Sequence, residues 1–516
     1  MKKIYIIFAI CLLFTGCAKD LGNNQYTDIN EVEFSNIEEN YRVMMNSTPL
    51  IIDPTLNMSE GVDPDSERFE YQWVSVSVTG ERDTIATTRV YNSVVTLSPG
   101  DYTLYLKVKD KETGVQWTTY TYLSVGTVYT RGIMLIGEDE AGNADAQMIS
   151  MMTDTSLVTN ILKNSGLPPL TEPIGFIHTG IASSSSYNKC VKVWVMTKTG
   201  SYWLDRESMK GTTDNHFSKI AFTTEPTANL CIADVAPQVY NLNGNVSSGY
   251  YRAVVTSSGL LFNSAFGVNG GDFYTDPVNR LSTDYNTILH AYPFLFYPLK
   301  NYYGVVWYDT DNNRFLKVTT TGANSSLLVD SPGDIFPWNQ GVTGRKLIYG
   351  ENTYNKDGGN SSGNSFALMK DSQGKYFIYK MYAYASTPKK VGFYQIDLSI
   401  ATGFANATMY GFSSKRTLLF YASGNNLYAY DYDPGHEKIY QFNIFSGDEI
   451  SMIKFDTQMD TETNGLYVAT YNSATKGKLQ RFLLNSDPNT VTLTPDPVNS
   501  WSGLTKVKNM SWRGGK

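Results

Sequence analysis

Apolar and polar positions alternate with a period of two along much of this chain. After a turn at Ser98-Pro99-Gly100, Tyr102, Leu104, Leu106 and Val108 alternate with Thr103, Tyr105, Lys107 and Lys109, the pattern of a strand with one apolar face. Phe69 to Val78 (FEYQWVSVSV) is a second strand-like segment, and Trp73 within it is the candidate core anchor. The length and strand spacing of residues 31–127 predict a small β-sandwich of seven-strand, Ig-like topology.

Beyond Thr130 a second unit recurs: an apolar β-rich strand, a turn, and another strand. It occurs from Gly132, Val191, Tyr251, Tyr302, Ser365, Thr417 and Gly465. The starts lie roughly 50 to 60 residues apart, enough for the four strands and connections of a propeller blade. Seven hairpins over residues 130–516 predict a β-propeller-like domain of seven blades. A pair of β-sandwiches would supply as many strands but not the even spacing. One stretch departs from the grammar. In Thr153–Lys163, Leu157, Val158, Ile161 and Leu162 fall at i, i+1, i+4 and i+5, which predicts a short amphipathic helix inserted in the first blade. The fold class is therefore all-β, a sandwich followed by a propeller-like domain.

Composition agrees and narrows the partners. Among 516 residues there are 37 Tyr, 24 Phe and 42 Gly, a mixture suited to short strands and tight turns. The net charge of −7 opposes phosphate polyanions and offers no basic stripe, so nucleic acid is not an expected partner. The chain opens with Lys2 and Lys3, an apolar run from Ile4 to Phe14, then Thr15, Gly16 and Cys17. That is a secretory signal, 1–16, too short to span a bilayer. The small pair before Cys17 resembles the lipobox of bacterial lipoproteins, with Phe14 where Leu is usual; the resemblance implies that Cys17 is acylated and becomes the mature N-terminus. Taking two lysines from 42 basic residues against 49 acidic ones leaves a mature charge of −9. Residues 17–30 read as a lipidated, polar tether. Cys190 and Cys231 then remain for the folded part, either paired in an oxidising compartment or as two small buried side chains.

The phrase PGDYTLYLKVKDKETGV resembles the end of a PKD-type sandwich. Cys17-Ala18-Lys19-Asp20-Leu21-Gly22-Asn23 with Ile29-Asn30-Glu31-Val32 is similar to the opening of the PKD-like lipoprotein family of Bacteroidota, and the resemblance covers residues 17 to about 127. It implies an outer-membrane lipoprotein, lipid-anchored and exposed at the cell surface, associated with SusC/SusD-like uptake systems. Membrane attachment would be through the lipid alone. None of the matching residues is catalytic.

The chemical candidates are sparse. His178, His216, His290 and His436 are scattered and none stands in an HExxH context. Gly359-Asn360-Ser361-Ser362-Gly363 matches G-x-S-x-G but lies in a Gly/Ser/Asn loop, not on the strand-to-helix elbow that this motif requires. Asp309, Asp311, Asn312 and Asn313, Asp431 to Glu437, and Asp63 with Asp65 have oxygen ligands at alternating positions, yet each sits at a turn where Asp and Asn cap backbone. No metal or cofactor is called for. Trp194 and Trp307, mid-strand, read as core. The loop aromatics Phe273, Tyr274, Trp338 and Tyr354, flanked by GVNGGDFYTD and NTYNKDGGNSSGN segments, are the candidate ligand-binding residues, since flat rings beside hydrogen-bonding groups suit sugars and peptide side chains. The reading is a non-catalytic surface lipoprotein that binds an oligopeptide or a glycan and/or docks onto a SusC/SusD-type importer. The alternatives are a hydrolase that trims such cargo, with paired carboxylates at the propeller mouth, and a purely structural subunit of a transporter assembly.

Overall fold

The computed structural model describes residues 30–515 apart from 182–184 and Ser446. The signal segment, Cys17 and the tether up to Ile29 lie outside the described residues. The chain divides into two compact units, one made of segments up to Leu123, the other chiefly of Ser124 onward.

The first unit is a sandwich of nine strands, two more than the predicted seven. Its main sheet has the order Asn40–Met44, Gln116–Gly126, Gly100–Asp110, Phe69–Ser77 and Arg82–Ala86, and two strand pairs complete it, Val32–Ser35 with Thr55–Met58 and Pro49–Ile52 with Tyr91–Val94. The alternation along Gly100–Asp110 sets the core: Leu104, Leu106 and Val108 are fully buried, as is Trp73. Trp73 meets Tyr91 edge-on at 5.9 Å, and its indole N–H donates to the carbonyls of Thr88 and Arg89. The strand ends on Asp110, whose buried carboxylate is held by Arg68 at 2.6 Å.

In the second unit the described residues form seven sheets of three or four strands. Each of the seven hairpins legible in the sequence lies within a different sheet: Gly132–Glu138 with Ala144–Ser150, Val193–Thr197 with Gly200–Leu204, Tyr251–Thr256 with Leu261–Ala265, Gly304–Asp309 with Arg314–Thr319, Ser365–Lys370 with Tyr376–Tyr382, Leu418–Ser423 with Asn426–Asp431, and Leu466–Asn472 with Lys476–Leu484. Successive sheets pack face to face, and each interface holds its own apolar cluster. A seventh cluster returns from the last sheet to the first, joining Met452, Tyr467, Ala469 and Leu479 to Ile133, Leu135, Ile149 and Trp512. The sheets thus close into a ring, the propeller-like arrangement that the spacing predicts.

Two-sided packing explains why these strands read as unbroken apolar runs. In Gly132–Glu138, Ile133 and Leu135 enter the cluster with the last sheet, while Met134 and Ile136 enter that with the second. A strand buried on both faces has no polar side to alternate with. Gly132 and Gly304 open such strands with φ of +150° and +107°. A Cβ on either would lie 2.1 Å from a partner-strand carbonyl, so glycine is required there. The ring is closed by the last strand, Lys506–Arg513, which pairs with Gly132–Glu138 and so places the C-terminal segment innermost in the first sheet.

The helix predicted over Thr153–Lys163 is not formed. Ser156–Val158 is instead a short strand on the edge of the first sheet, pairing Leu157 with Ile149 and Val158 with Met148. Asn160 then takes a left-handed φ of +56°, which breaks any helix and turns Ile161 and Leu162 into the core. The apolar pattern came from a turn packed onto a sheet, not from a helical face. Among the described residues no helix is long and apolar enough to cross a membrane.

Candidate functional site

Three of the four predicted ligand-binding aromatics are spent on packing. Tyr274 is wholly buried in the cluster between the second and third sheets. Trp338 is buried against Phe336 and Phe315 with Lys390 Nζ 5.0 Å from its ring. Tyr354 is buried between the third and fourth sheets, and its hydroxyl donates to the Tyr240 carbonyl at 2.6 Å. Phe273 alone is half-buried and lines a cavity, a small one of about 130 Å³, with its ring 5.3 Å from that of exposed Phe222. Trp194 and Trp307 are core residues, as their mid-strand positions predict.

The acidic turns do the work expected of turns. Both carboxylate oxygens of Asp309 are occupied, by the N–H groups of Asp311 and Asn312, the Asn312 amide and Arg314 Nε. Asp431 accepts from Thr417 and the Asp433 N–H, while Asp63 accepts from the Asp65 N–H. Among the described residues no three His, Cys, Asp or Glu side chains are grouped to hold a metal ion. Gly359–Gly363 follows a single 3-10 turn, and Asn355, Asn360 and Asn364 tie that loop to itself. Cys190 and Cys231 are buried free thiols, and burial raises the pKa of both.

The residues that sequence reasoning missed line the centre of the ring. The innermost strands Ile232–Ala236, Lys346–Asn352, Met409–Phe412, Glu449–Phe455 and Lys506–Arg513, with the extended segment around Phe294, converge on one cavity of about 370 Å³. Its wall carries Lys508, which pairs with Glu138 at 3.4 Å, and three charged groups that bridge sheets, Asp234, Glu351 and Lys454. Asp234 Oδ1 accepts from the Val235 N–H at 2.8 Å and from Gln238 Nε2 at 3.0 Å, and its Oδ2 from the Leu295 N–H at 3.0 Å. Glu351 Oε2 accepts from the Phe412 N–H at 2.7 Å and the Tyr349 hydroxyl at 3.1 Å. Lys454 Nζ donates to the Asn509 side chain at 3.0 Å and the Met510 carbonyl at 2.7 Å. Each of the three reaches backbone in the next sheet round the ring, and Asn509 continues the series by donating to the Ile174 carbonyl at 2.9 Å.

These charges therefore act as staples between successive sheets around the central cavity. Burial pushes Asp234 up to about 6 and Glu351 up to about 7, with their backbone hydrogen bonds pulling in the other direction. Burial lowers Lys454, while Glu351, Asp234 and Asp456 favour its charged form. No short motif signals this site, because Asp234, Glu351, Lys454 and Asn509 stand in four separate strands. The one available hint is an ionisable residue interrupting an otherwise apolar strand, as in Ile232-Ala233-Asp234 and Met452-Ile453-Lys454.

Residues 17–166 match the sequence profile of the PKD-like family, a match that runs past the sandwich into the first sheet of the ring. No curated protein matches the chain. Among solved structures, the chain is similar to a quinonprotein alcohol dehydrogenase-like protein of Bacteroides thetaiotaomicron VPI-5482, at 13% identity over 94% of this chain and 99% of that one, with a TM-score of 0.37. It is similar at 11% identity to the extracellular domain of a one-component system of B. thetaiotaomicron, over 81% of this chain and 57% of that one, with a TM-score of 0.33. It is also similar to PorZ, a surface component of the type-IX secretion system of Porphyromonas gingivalis, at 11% identity over 90% of this chain and 60% of that one, with a TM-score of 0.18.

Proposed function

We propose that the protein is a non-catalytic outer-membrane lipoprotein, anchored through Cys17 and exposed at the cell surface, that binds an oligopeptide or glycan and docks onto an importer of the SusC/SusD type. The observation that carries the binding reading is the central cavity. Phe294, Met409 and Tyr410 supply apolar and aromatic wall beside the polar Gln238, Asn352 and Thr408, the mixture that ligand sites use. The staples made by Asp234, Glu351 and Lys454 hold that wall in one geometry before any ligand arrives, which lowers the ordering cost of binding. A lipid anchor keeps the site near the importer, so modest affinity suffices.

The test is binding of defined peptide and glycan pools to the full chain in mild detergent, for the wild type and for Tyr410→Ala. Tyr410 lines the cavity and is half-buried. A ligand retained by the wild type and lost by the variant supports the cavity as the site, and equal retention removes it. A hydrolase is the second reading, favoured by two carboxyl groups raised toward neutrality in one cavity. It requires turnover of a retained ligand that Asp234→Asn or Glu351→Gln abolishes.

A further inference from the structure

A second cavity, of about 450 Å³, lies beside Gly200–Leu204, the outer edge strand of the second sheet. It shares no lining residue with the central cavity. Four cations line it, Lys189, Lys192, Arg206 and Lys210, in a chain whose net charge is negative. Among the described residues none of the four has a carboxylate within 4.0 Å. The nearby acids have partners of their own. Asp205 also lines the cavity, with its Oδ1 accepting from the Ser208 N–H and hydroxyl at 2.9 and 2.7 Å. Glu207 holds Arg513 at 3.2 Å and accepts from Thr130 at 3.1 Å, and Asp214 faces Lys219.

The cations are joined by an aromatic ring. Trp203 lines the cavity half-buried, braced edge-on against Trp194 at 5.7 Å, with Lys192 Nζ 4.8 Å from its ring centre. Lys189 and Lys192 are shared with the small neighbouring cavity, so the trough continues to Phe273. Beneath that end the buried Arg252–Asp272 pair, at 3.0 Å, anchors the floor, and Arg252 also donates to the Cys190 carbonyl. Burial lowers the pKa of Lys192, and Arg252 and Arg206 push the same way, while Asp272 and Cys190 push against them.

We propose that this trough binds an acidic glycan, its carboxylate or sulfate groups on Lys189, Lys192 and Arg206 and a sugar ring against Trp203. Unpaired cations beside an aromatic ring match the two features of such a ligand, its fixed anions and the apolar face of its pyranose. An acidic peptide would match the charge as well, but adding a peptide strand to a sheet needs a free run of edge backbone. Here the middle of the outer edge is already taken by the bridge between Tyr202 and His216. The site is independent of the central cavity, so its failure leaves the proposal made there standing.

The test is calorimetric titration of the full chain in mild detergent with four probes: tri-galacturonate, a sulfated oligosaccharide, neutral maltohexaose and hexaglutamate. The expected result is binding of one of the acidic sugars, weakened by salt, with no binding of maltohexaose. Affinity should fall about fivefold for each cation removed, in Lys189→Gln and in the Lys189→Gln/Arg206→Gln double variant. Lys189 is exposed, so its replacement leaves folding intact, and an unchanged melting curve checks this. Failure of both acidic sugars to bind overturns the proposal, as does equal affinity in wild type and double variant. Tighter binding of hexaglutamate overturns it in favour of a peptide.

Discussion

If the C-terminal strand closes the ring, its buried side chains must carry a large share of the second unit's stability, and Trp512→Ala measures that share. Trp512 is 2% exposed in the cluster joining the last and first sheets. Its indole N–H donates to the Leu242 carbonyl at 2.9 Å, its backbone N–H to Gln458 Oε1 at 2.8 Å, and Arg131 lies over its ring at 5.0 Å. Truncating a buried Trp to Ala costs about 3 to 5 kcal/mol through lost transfer energy and the cavity left behind. The Leu242 carbonyl loses a partner, which adds about 1 kcal/mol. Trp512→Phe keeps most of the volume and should cost less than half as much. Val498→Ala is the control, since Val498 is 82% exposed and should change stability by no more than about 0.5 kcal/mol. Urea denaturation followed by circular dichroism reads all three variants. A loss for Trp512→Ala no larger than that of Val498→Ala would refute the closure.

Other consequences follow from charges that are buried. Asp272→Asn strands the Arg252 guanidinium, which is 5% exposed at its side chain, and should destabilise the protein by about 3 to 5 kcal/mol; a change within about 0.5 kcal/mol in the same denaturation assay would show that the pair is not a structural anchor. Asp234 and Glu351 are raised to about 6 and about 7, so between about pH 4 and pH 7 the folded state binds more protons than the unfolded one. Stability must therefore fall as pH rises through that window, by up to about 3 kcal/mol per group. Glu351→Gln should flatten the fall in pH-dependent melting, and an unchanged slope would count against it. In the sandwich the sign is opposite: Arg68 holds Asp110 well below the usual carboxylate range, so that pair contributes stability that is lost on acidification below about pH 4, and Asp110→Asn should remove this acid sensitivity.

The local grammar of the fold was legible because it depends on neighbours in sequence. Leu104, Leu106 and Val108 announced their strand by period alone, and the seven hairpins by apolar runs around short turns. Long-range closure was not. Nothing near Lys506–Arg513 indicates a partner at Gly132–Glu138, and the inner strands that line the central cavity are interrupted by the polar residues that staple them. The aromatic surplus was read as ligand-binding at Tyr274, Trp338 and Tyr354, whereas packing between sheets absorbs those rings. Phe273 escapes because it follows Gly270 and Gly271 at the end of a one-turn helix and remains half-buried. The basic trough was invisible because Arg206 and Lys210 stand among Asp205 and Glu207 in sequence, while Lys189 and Lys192 precede the intervening hairpin and are brought beside them only by the fold.

The most direct measurement of the proposed role is purification of the C-terminally tagged protein from native outer membranes in mild detergent, with copurifying proteins and small molecules identified by mass spectrometry. The account predicts recovery of a SusC/SusD-like pair, a diacylglyceryl-modified Cys17 as N-terminus, and bound peptide or glycan. Recovery of an unmodified chain without partner or ligand would contradict it.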